Sequence, residues 1–270
     1  MGLIAGNGPL PALFAREVRR LGIPLVAVGH QGETRQELEG LVDRMTWVHV
    51  GQLGALIQAL RDGGVARVVM LGGIDKKRAL RELRLDERAM RLLEQLAARG
   101  DDSLLGAVAR ELEAEEFQVL GSQEVLASWL APAGPMTRRP LTHQEESDVR
   151  LGIRVLGHLA PVDVGQTVVI REGVILAVEA IEGTDQAISR GGELGGPGAV
   201  VVKGSKPQQD MRFDMPVVGL GTLRAMGRVE ARVLALEAGC SMLLDREEML
   251  EMAEGRGISL VGWTREEHIA

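Results

Sequence analysis

Two polar runs in the second half of the chain combine residue types that phosphoryl chemistry uses. Glu179-Ala180-Ile181-Glu182-Gly183-Thr184-Asp185 follows one apolar run, and the stretch from Lys203-Gly204-Ser205-Lys206 through Gln209-Asp210, Arg212 and Asp214 follows another. Lysine and arginine neutralise phosphate oxygens, while carboxylates hold a divalent ion or orient an attacking water. Magnesium takes one or two protein carboxylates and completes its shell with waters and phosphates. The competing reading is solvated surface, because charged side chains are exposed in most settings. Composition does not choose between them, although paired loops at strand ends are where rigid elements aim functional groups.

A third candidate lies near the start. Gly6-Asn7-Gly8 follows the apolar run Leu3-Ile4-Ala5 and precedes a helical pattern. Glycines there let a phosphate or ribose approach the backbone, and the helix N-terminus adds partial positive charge. A dinucleotide fingerprint requires a further glycine where Pro11 stands, so a tight strand-to-helix turn is an equally valid reading. Gly72-Gly73 ends a later apolar run. Ligands of open α/β sheets collect at the carboxyl ends of strands, so the two glycine pairs are expected to face one crevice.

These residues need elements to position them. The first half alternates short apolar runs (2–5, 24–28, 46–50, 67–71 and 117–120) with helical patterns over 10–21, 53–62, 86–98 and 101–113. Continuous apolar strands between amphipathic helices predict a parallel sheet covered on both faces. Pro and Gly concentrate at Ala131-Pro132-Ala133-Gly134-Pro135, which marks a boundary. The expected division is a domain over 1–131, a linker over 132–141 and a second domain over 142–270. The second opens on a helix over 144–159 and continues with strands 167–171 and 174–178 across a Glu172-Gly173 hairpin turn. Strands over 199–202, 232–238 and 259–261, with helices over 222–228 and 246–254, complete an α/β domain with a mixed sheet.

Composition narrows the function classes. The chain has 270 residues, net charge −7, three Phe, three Trp and no Tyr. Few stacking platforms and an acidic balance argue against nucleic acid as a partner. Cys240 is the single cysteine, so an intrachain disulfide and a thiolate zinc cluster are excluded. It reads as a small buried apolar residue, and the methionines of 242–252 read as core filling. The histidines at 30, 49, 143, 158 and 268 are scattered without ligand spacing and read as structural or surface. No basic, long apolar leader precedes the first strand pattern and no 18-residue apolar run occurs, so the expectation is a cytoplasmic protein.

Read as whole strings, the chain resembles the magnesium-dependent UDP-2,3-diacylglucosamine pyrophosphatases of lipid A biosynthesis, the type unrelated to metallophosphoesterases. The matching strings are residues 2–11 (GLIAGNGPLP), 100–105 (GDDSLL), Val164-Gly165-Gln166, 176–185 (LAVEAIEGTD), Lys203, Lys206-Pro207, Gln209-Asp210, Arg212-Phe213-Asp214 and Pro216-Val217-Val218-Gly219. They cover nearly the whole chain, and those in the second half are long and specific. The glycine-rich 191–196 departs from the pattern and is expected to form a loop.

The resemblance implies a Rossmann-like N-terminal domain, a distinct C-terminal α/β domain, and a lipid substrate enclosed between them. It implies release of UMP and 2,3-diacylglucosamine 1-phosphate. Asp214 would be the catalytic carboxylate, with Lys203, Lys206 and Arg212 neutralising the pyrophosphate. Asp214, Asp185 and Glu179 would support Mg2+. Gly6, Asn7, Gly8, Gly72, Gly73, Asp102, Gln166, Glu182, Gly183, Thr184 and Gln209 would contact substrate. A UDP-linked diacyl-amino-sugar implies transient contact with a membrane surface, peripheral on the inner membrane, and a homodimer is the default assembly. Two alternatives stand beside this: a nucleotide-sugar or dinucleotide enzyme of another class, and a non-catalytic sensor of a lipid nucleotide.

Overall fold

The computed structural model describes residues 1–75, 83–99, 104–159, 164–205, 210–212 and 215–265, with 97–99 described by their backbone. They divide into two compact units, Met1–Ala127 and Ser128–Ala270.

The first unit is a five-stranded parallel sheet in the order β3-β2-β1-β4-β5. The strands are β1 (Gly2–Ala5), β2 (Val26–His30), β3 (Arg44–Val48), β4 (Arg67–Leu71) and β5 (Gln118–Leu120). Leu3, Ala5, Ala27, Val28, Val68 and Val69 are fully buried, as expected of strands covered on both faces. The covering helices are α1 (Leu10–Arg20), α2 (Leu53–Asp62), α3 (Glu87–Arg99) and α4 (Leu104–Ala114). Helix α1 carries a proline in its first turn and buries Phe14, Ala15 and Val18 on one stripe. Strand β3 stops at Val48, two residues before the apolar run ends. There the His49 amide donates to Gln52 Oε1 at 2.7 Å and turns the chain toward α2.

In the second unit a mixed six-stranded sheet runs in the order β6-β13-β11-β9-β7-β8. It contains β6 (Gly134–Pro135), β7 (Thr167–Arg171), β8 (Val174–Val178), β9 (Val200–Lys203), β11 (Val233–Glu237) and β13 (Ser259–Trp263). Strands β9, β11 and β13 are parallel, whereas β7, β8 and β6 enter antiparallel. The proline- and glycine-rich stretch after residue 131 therefore supplies an edge strand to this sheet. Two short strands, β10 (Val217–Val218) and β12 (Met242–Leu243), pair separately.

Alternation along the central strands builds two cores. Val201, Leu234 and Leu236 pack with Ile188 of α6 (Thr184–Gly195), Leu223 and Met226 of α7 (Leu220–Arg228) and Met249 of α8 (Arg246–Arg256). Val200, Val202, Val233 and Ala235 face the other way, against Val149 and Leu156 of α5 (His143–Leu159). Met242 and Met249 are fully buried, which fits their reading as core filling.

Residues 191–195 of the glycine-rich stretch form the C-terminal half of α6 rather than a loop, and Gly196 ends it. A Cβ on Gly191 would stand 2.6 Å from Val169 Cγ1, and one on Gly192 would collide with Val229. The helix accepts the low propensity of glycine because it packs closely on the sheet.

The β7–β8 turn is held from α5. Glu172 and Gly173 both have positive φ, 50° and 79°, the backbone of a tight hairpin turn. Their amides donate to the two oxygens of Asp148, each at 2.8 Å, and Asp148 is buried. Asp148→Ala leaves both amides without their charged acceptor and is expected to cost roughly 1–3 kcal/mol, read as a lower urea midpoint at unchanged slope.

Candidate active site

The parallel strands of the second unit deliver their last residues to one edge of the sheet. Lys203 ends β9 and pairs across the ladder with Thr167, the first residue of β7. Only 3% of Lys203 is exposed, and its ammonium donates to Thr184 Oγ1 at 2.8 Å. Thr184 in turn donates to Glu179 Oε1 at 3.1 Å, and its hydroxyl lies 3.5 Å from that of Thr167. Burial pushes the Lys203 ammonium below the usual lysine range, against the opposing pull of Glu179 and Asp185.

Two helix starts meet beside this lysine. Gly183 precedes α6 with φ of 84°, a conformation that favours glycine, and neither α6 nor α7 has a side-chain cap. Asp185 in the first turn of α6 accepts from Thr222 in the first turn of α7 at 3.4 Å. Uncapped amides and the helix dipoles favour an anion at such a place. The turn before α6 is closed by Glu182, which accepts from Arg190 at 2.5 Å and from the Ala180 amide at 3.1 Å. The hydrogen bond from Arg190 holds its carboxyl below the usual range.

Two acceptors at this edge are sealed from solvent without a donor, Glu179 Oε2 and Gln166 Oε1. Among the described residues, no group of three His, Cys, Asp or Glu converges to hold a metal. Magnesium needs fewer protein donors than three, and the donor set fits it: an unpartnered oxygen on Glu179 and the Asp185 carboxylate are hard oxygen ligands.

Of the residues expected to do chemistry, the structure brings together Lys203, Thr184, Glu179, Asp185, Gly183 and Glu182. Gln166 joins them, its carbonyl accepting from the Gly204 amide at 3.1 Å. Arg212 is bound by Asp210, at 3.0 and 3.1 Å from Nε and 2.8 Å from Nη2, and this pairing lowers the Asp210 pKa. Asp102, Lys206, Gln209 and Asp214 lie outside the described residues.

In the first unit the two glycine turns pack on each other. The sheet order reverses between β1 and β4, the switch point where ligands of such sheets collect. Gly6 N donates to Leu71 O and Asn7 N to Gly73 O, both at 2.7 Å. A Cβ on Gly6 would collide with Gly73 O, and one on Gly72, where φ is 88°, with Asn7 O. These glycines permit backbone to pack on backbone, while Gly8, with φ of 88°, has open space at its Cβ. Glu33 ties three turns together: its Oε2 accepts from Asn7 Nδ2 at 2.9 Å and from the Asp75 amide at 3.0 Å. This buried glutamate is the acidic candidate that a dinucleotide reading would assign to a ribose, and here it serves the protein's own turns.

Sequence reasoning missed Thr167, Thr222, Ser205, Glu237 and Arg265. Glu237 ends an apolar strand as Lys203 does, and that shared pattern was its available signal. Cys240 is half-buried rather than buried, and it lies beside Glu237, with burial raising its thiol pKa.

Residues 1–129 match the family model described as the LpxI N-terminal domain, and residues 132–261 match the LpxI C-terminal domain. A curated relative, UDP-2,3-diacylglucosamine pyrophosphatase LpxI of Caulobacter vibrioides (strain ATCC 19089 / CIP 103742 / CB 15), is 30% identical over 277 residues, covering 97% of this chain and 96% of its own. Among solved structures, the K. lactis urea amidolyase matches at TM-score 0.30 and 15% identity, over 63% of this chain and 8% of its own. The biotin carboxylase domain of Hydrogenobacter thermophilus 2-oxoglutarate carboxylase matches at TM-score 0.27 and 13% identity, over 64% of this chain and 35% of its own. This chain therefore spans a minor part of both, and likenesses this slight carry no argument.

The buried lysine makes a testable statement about pH. With its folded pKa below the unfolded value of 10.5, the folded state loses the proton first, so stability rises with pH between the two values. The wild type is expected to gain stability relative to Lys203→Met as pH climbs from the depressed pKa to 10.5, then to level off. Urea denaturation across alkaline pH measures this, and a difference that stays flat or shrinks would refute the assignment.

Proposed function

The chain belongs to the LpxI family, and from that premise we propose that it hydrolyses the pyrophosphate bond of UDP-2,3-diacylglucosamine. Water attacks one phosphorus, the phosphoanhydride bond breaks, and UMP and 2,3-diacylglucosamine 1-phosphate leave. The observation that carries the reading is Lys203, a buried ammonium at a strand end beside two uncapped helix starts, in a chain matched along 97% of its length by a pyrophosphatase.

In this reading Lys203, Lys206 and Arg212 neutralise the diphosphate, Arg212 exchanging Asp210 for a phosphate oxygen. The first turns of α6 and α7 add amide donors beside Thr184 and Gly183. Asp214 positions the attacking water. A free carboxylate is a weak base near neutral pH, its reference pKa lying near 4. Glu179, Asp185 and Asp214 are the residues assigned to Mg2+, which when bound stabilises the charge that develops on the phosphoryl oxygens. Gln166, Glu182 and Gln209 contact the substrate from the same unit.

No helix among the described residues is long and apolar enough to cross a membrane. A substrate with two acyl chains nevertheless requires contact with a lipid surface, so we assign a cytoplasmic protein that visits the inner membrane peripherally, as a homodimer.

The purified protein with magnesium is expected to release UMP from the lipid nucleotide, to lose activity on chelation and to recover it when the ion is restored. In oxygen-18 water, one of the two products carries the label and identifies the attacked phosphorus. Asp214→Ala is expected to lower turnover by about 100-fold or more, the scale of a positioned acid–base group. Turnover near the wild-type rate in that variant removes Asp214 from the mechanism.

A further inference from the structure

The two faces of the second sheet treat the end of β9 differently. Lys203 continues the alternation of Val201 and reaches Thr184 on the α6 face. Gly204 and Glu237 lie on the α5 face, which Val202, Val233, Ala235 and Trp263 also line. A Cβ on Gly204 would stand 2.7 Å from Trp263 Cζ2 and 3.1 Å from Glu237 Oε2. Strand β9 thus leaves the sheet pressed against the last residues of its parallel neighbour β11 and of β13, the strand beyond it.

Ser205 is then held at every polar atom. Its amide donates to Glu237 Oε2 at 2.6 Å and its hydroxyl to the same oxygen at 2.8 Å. Arg265 Nη2 donates to the Ser205 carbonyl at 2.8 Å and to its hydroxyl at 3.0 Å. The two charged side chains also bind each other, Arg265 Nε donating to Glu237 Oε1 at 2.5 Å. Glu237 is 3% exposed, and its hydrogen bond raises the Arg265 pKa. An ordinary surface loop needs no such arrangement, because water satisfies its backbone.

We infer that Glu237 and Arg265 are positioning residues for the strand end that carries Lys203: they clamp Ser205 and so fix where Lys203 ends. The inference rests on the reading that Lys203 meets the diphosphate. A small displacement of such groups is expensive, since about 1 Å of misplacement can cost 100-fold in rate.

Glu237→Gln keeps the side-chain shape and removes the charge that organises Arg265 and Ser205. The expected result is a kcat lowered about tenfold or more with KM within about twofold, and a partial return in Glu237→Asp. Ser205→Ala deletes one hydroxyl and keeps the backbone bonds; its kcat is expected to fall by about threefold, and the Ser205→Ala/Glu237→Gln double variant to fall no further than Glu237→Gln alone. A variant that melts earlier yet keeps full kcat per folded molecule assigns the clamp to stability and overturns the inference. Additive losses overturn it too.

A second readout separates this from the hydrolase reading. Amide hydrogen exchange at Gly204 and Ser205 is expected to quicken in Glu237→Gln while exchange at β11 and β13 stays unchanged. If wild type releases no UMP, the hydrolase reading falls, and unchanged exchange at Ser205 then also sinks the clamp.

Discussion

An ammonium taken out of water at a strand end is the constraint around which the second unit is arranged. Lys203 is almost wholly buried, and a buried lysine is driven toward its neutral form unless oxygen acceptors surround it. The fold supplies one acceptor and two opposing charges: Thr184 at the start of α6 accepts from the ammonium, and Glu179, just after β8, and Asp185, the next residue of α6, pull against its burial. None of these can move without moving its element. Strand β8 must pair with β7, α6 must lie close on the sheet, and the glycines of α6 make that closeness sterically available. The glycine-rich helix and the buried lysine are consequently two parts of one packing problem.

The same strand end serves both faces because side chains alternate. Lys203 is committed to the α6 face, so the next position meets the α5 face, where Trp263 and Glu237 admit only a hydrogen. A register slip of one residue would place glycine where the ammonium belongs and drive lysine into Trp263. The two neighbouring ladders, β9 with β7 and β9 with β11, fix that register through buried valines. Hydrophobic packing, a term with no directional preference, is here converted into a direction for a charge.

Much of this was legible in the residues themselves. Apolar runs of strand length separated by amphipathic helices gave both sheets, and Glu172-Gly173 marked the hairpin, because these signals are local. The polar loops at strand ends were legible for the same reason, and Lys203, Thr184, Glu179 and Asp185 do meet. What stayed hidden is long-range. The partners in the Ser205 clamp are 32 and 60 residues away, and no periodicity announces a contact of that separation. Gly6 and Gly72 looked like ligand glycines because the sequence shows that a side chain is missing, not what occupies its place. In the fold, the occupant is another stretch of backbone.

The state of the buried carboxylates distinguishes support from demand. Glu237 has both oxygens filled, by Ser205 and Arg265, so nothing at that position calls for a further group. Glu179 has one oxygen filled by Thr184 and the other sealed without a donor, and Glu33 in the first unit shows the same half-filled pattern beside Asn7. Leaving a buried acceptor unmatched costs about 1–3 kcal/mol. A saturated carboxylate at a strand end thus acts as a brace, whereas Glu179 keeps one oxygen for the ion proposed above. Both kinds stand at the same edge of the second sheet, one on each face, and the strand that separates them ends in Lys203.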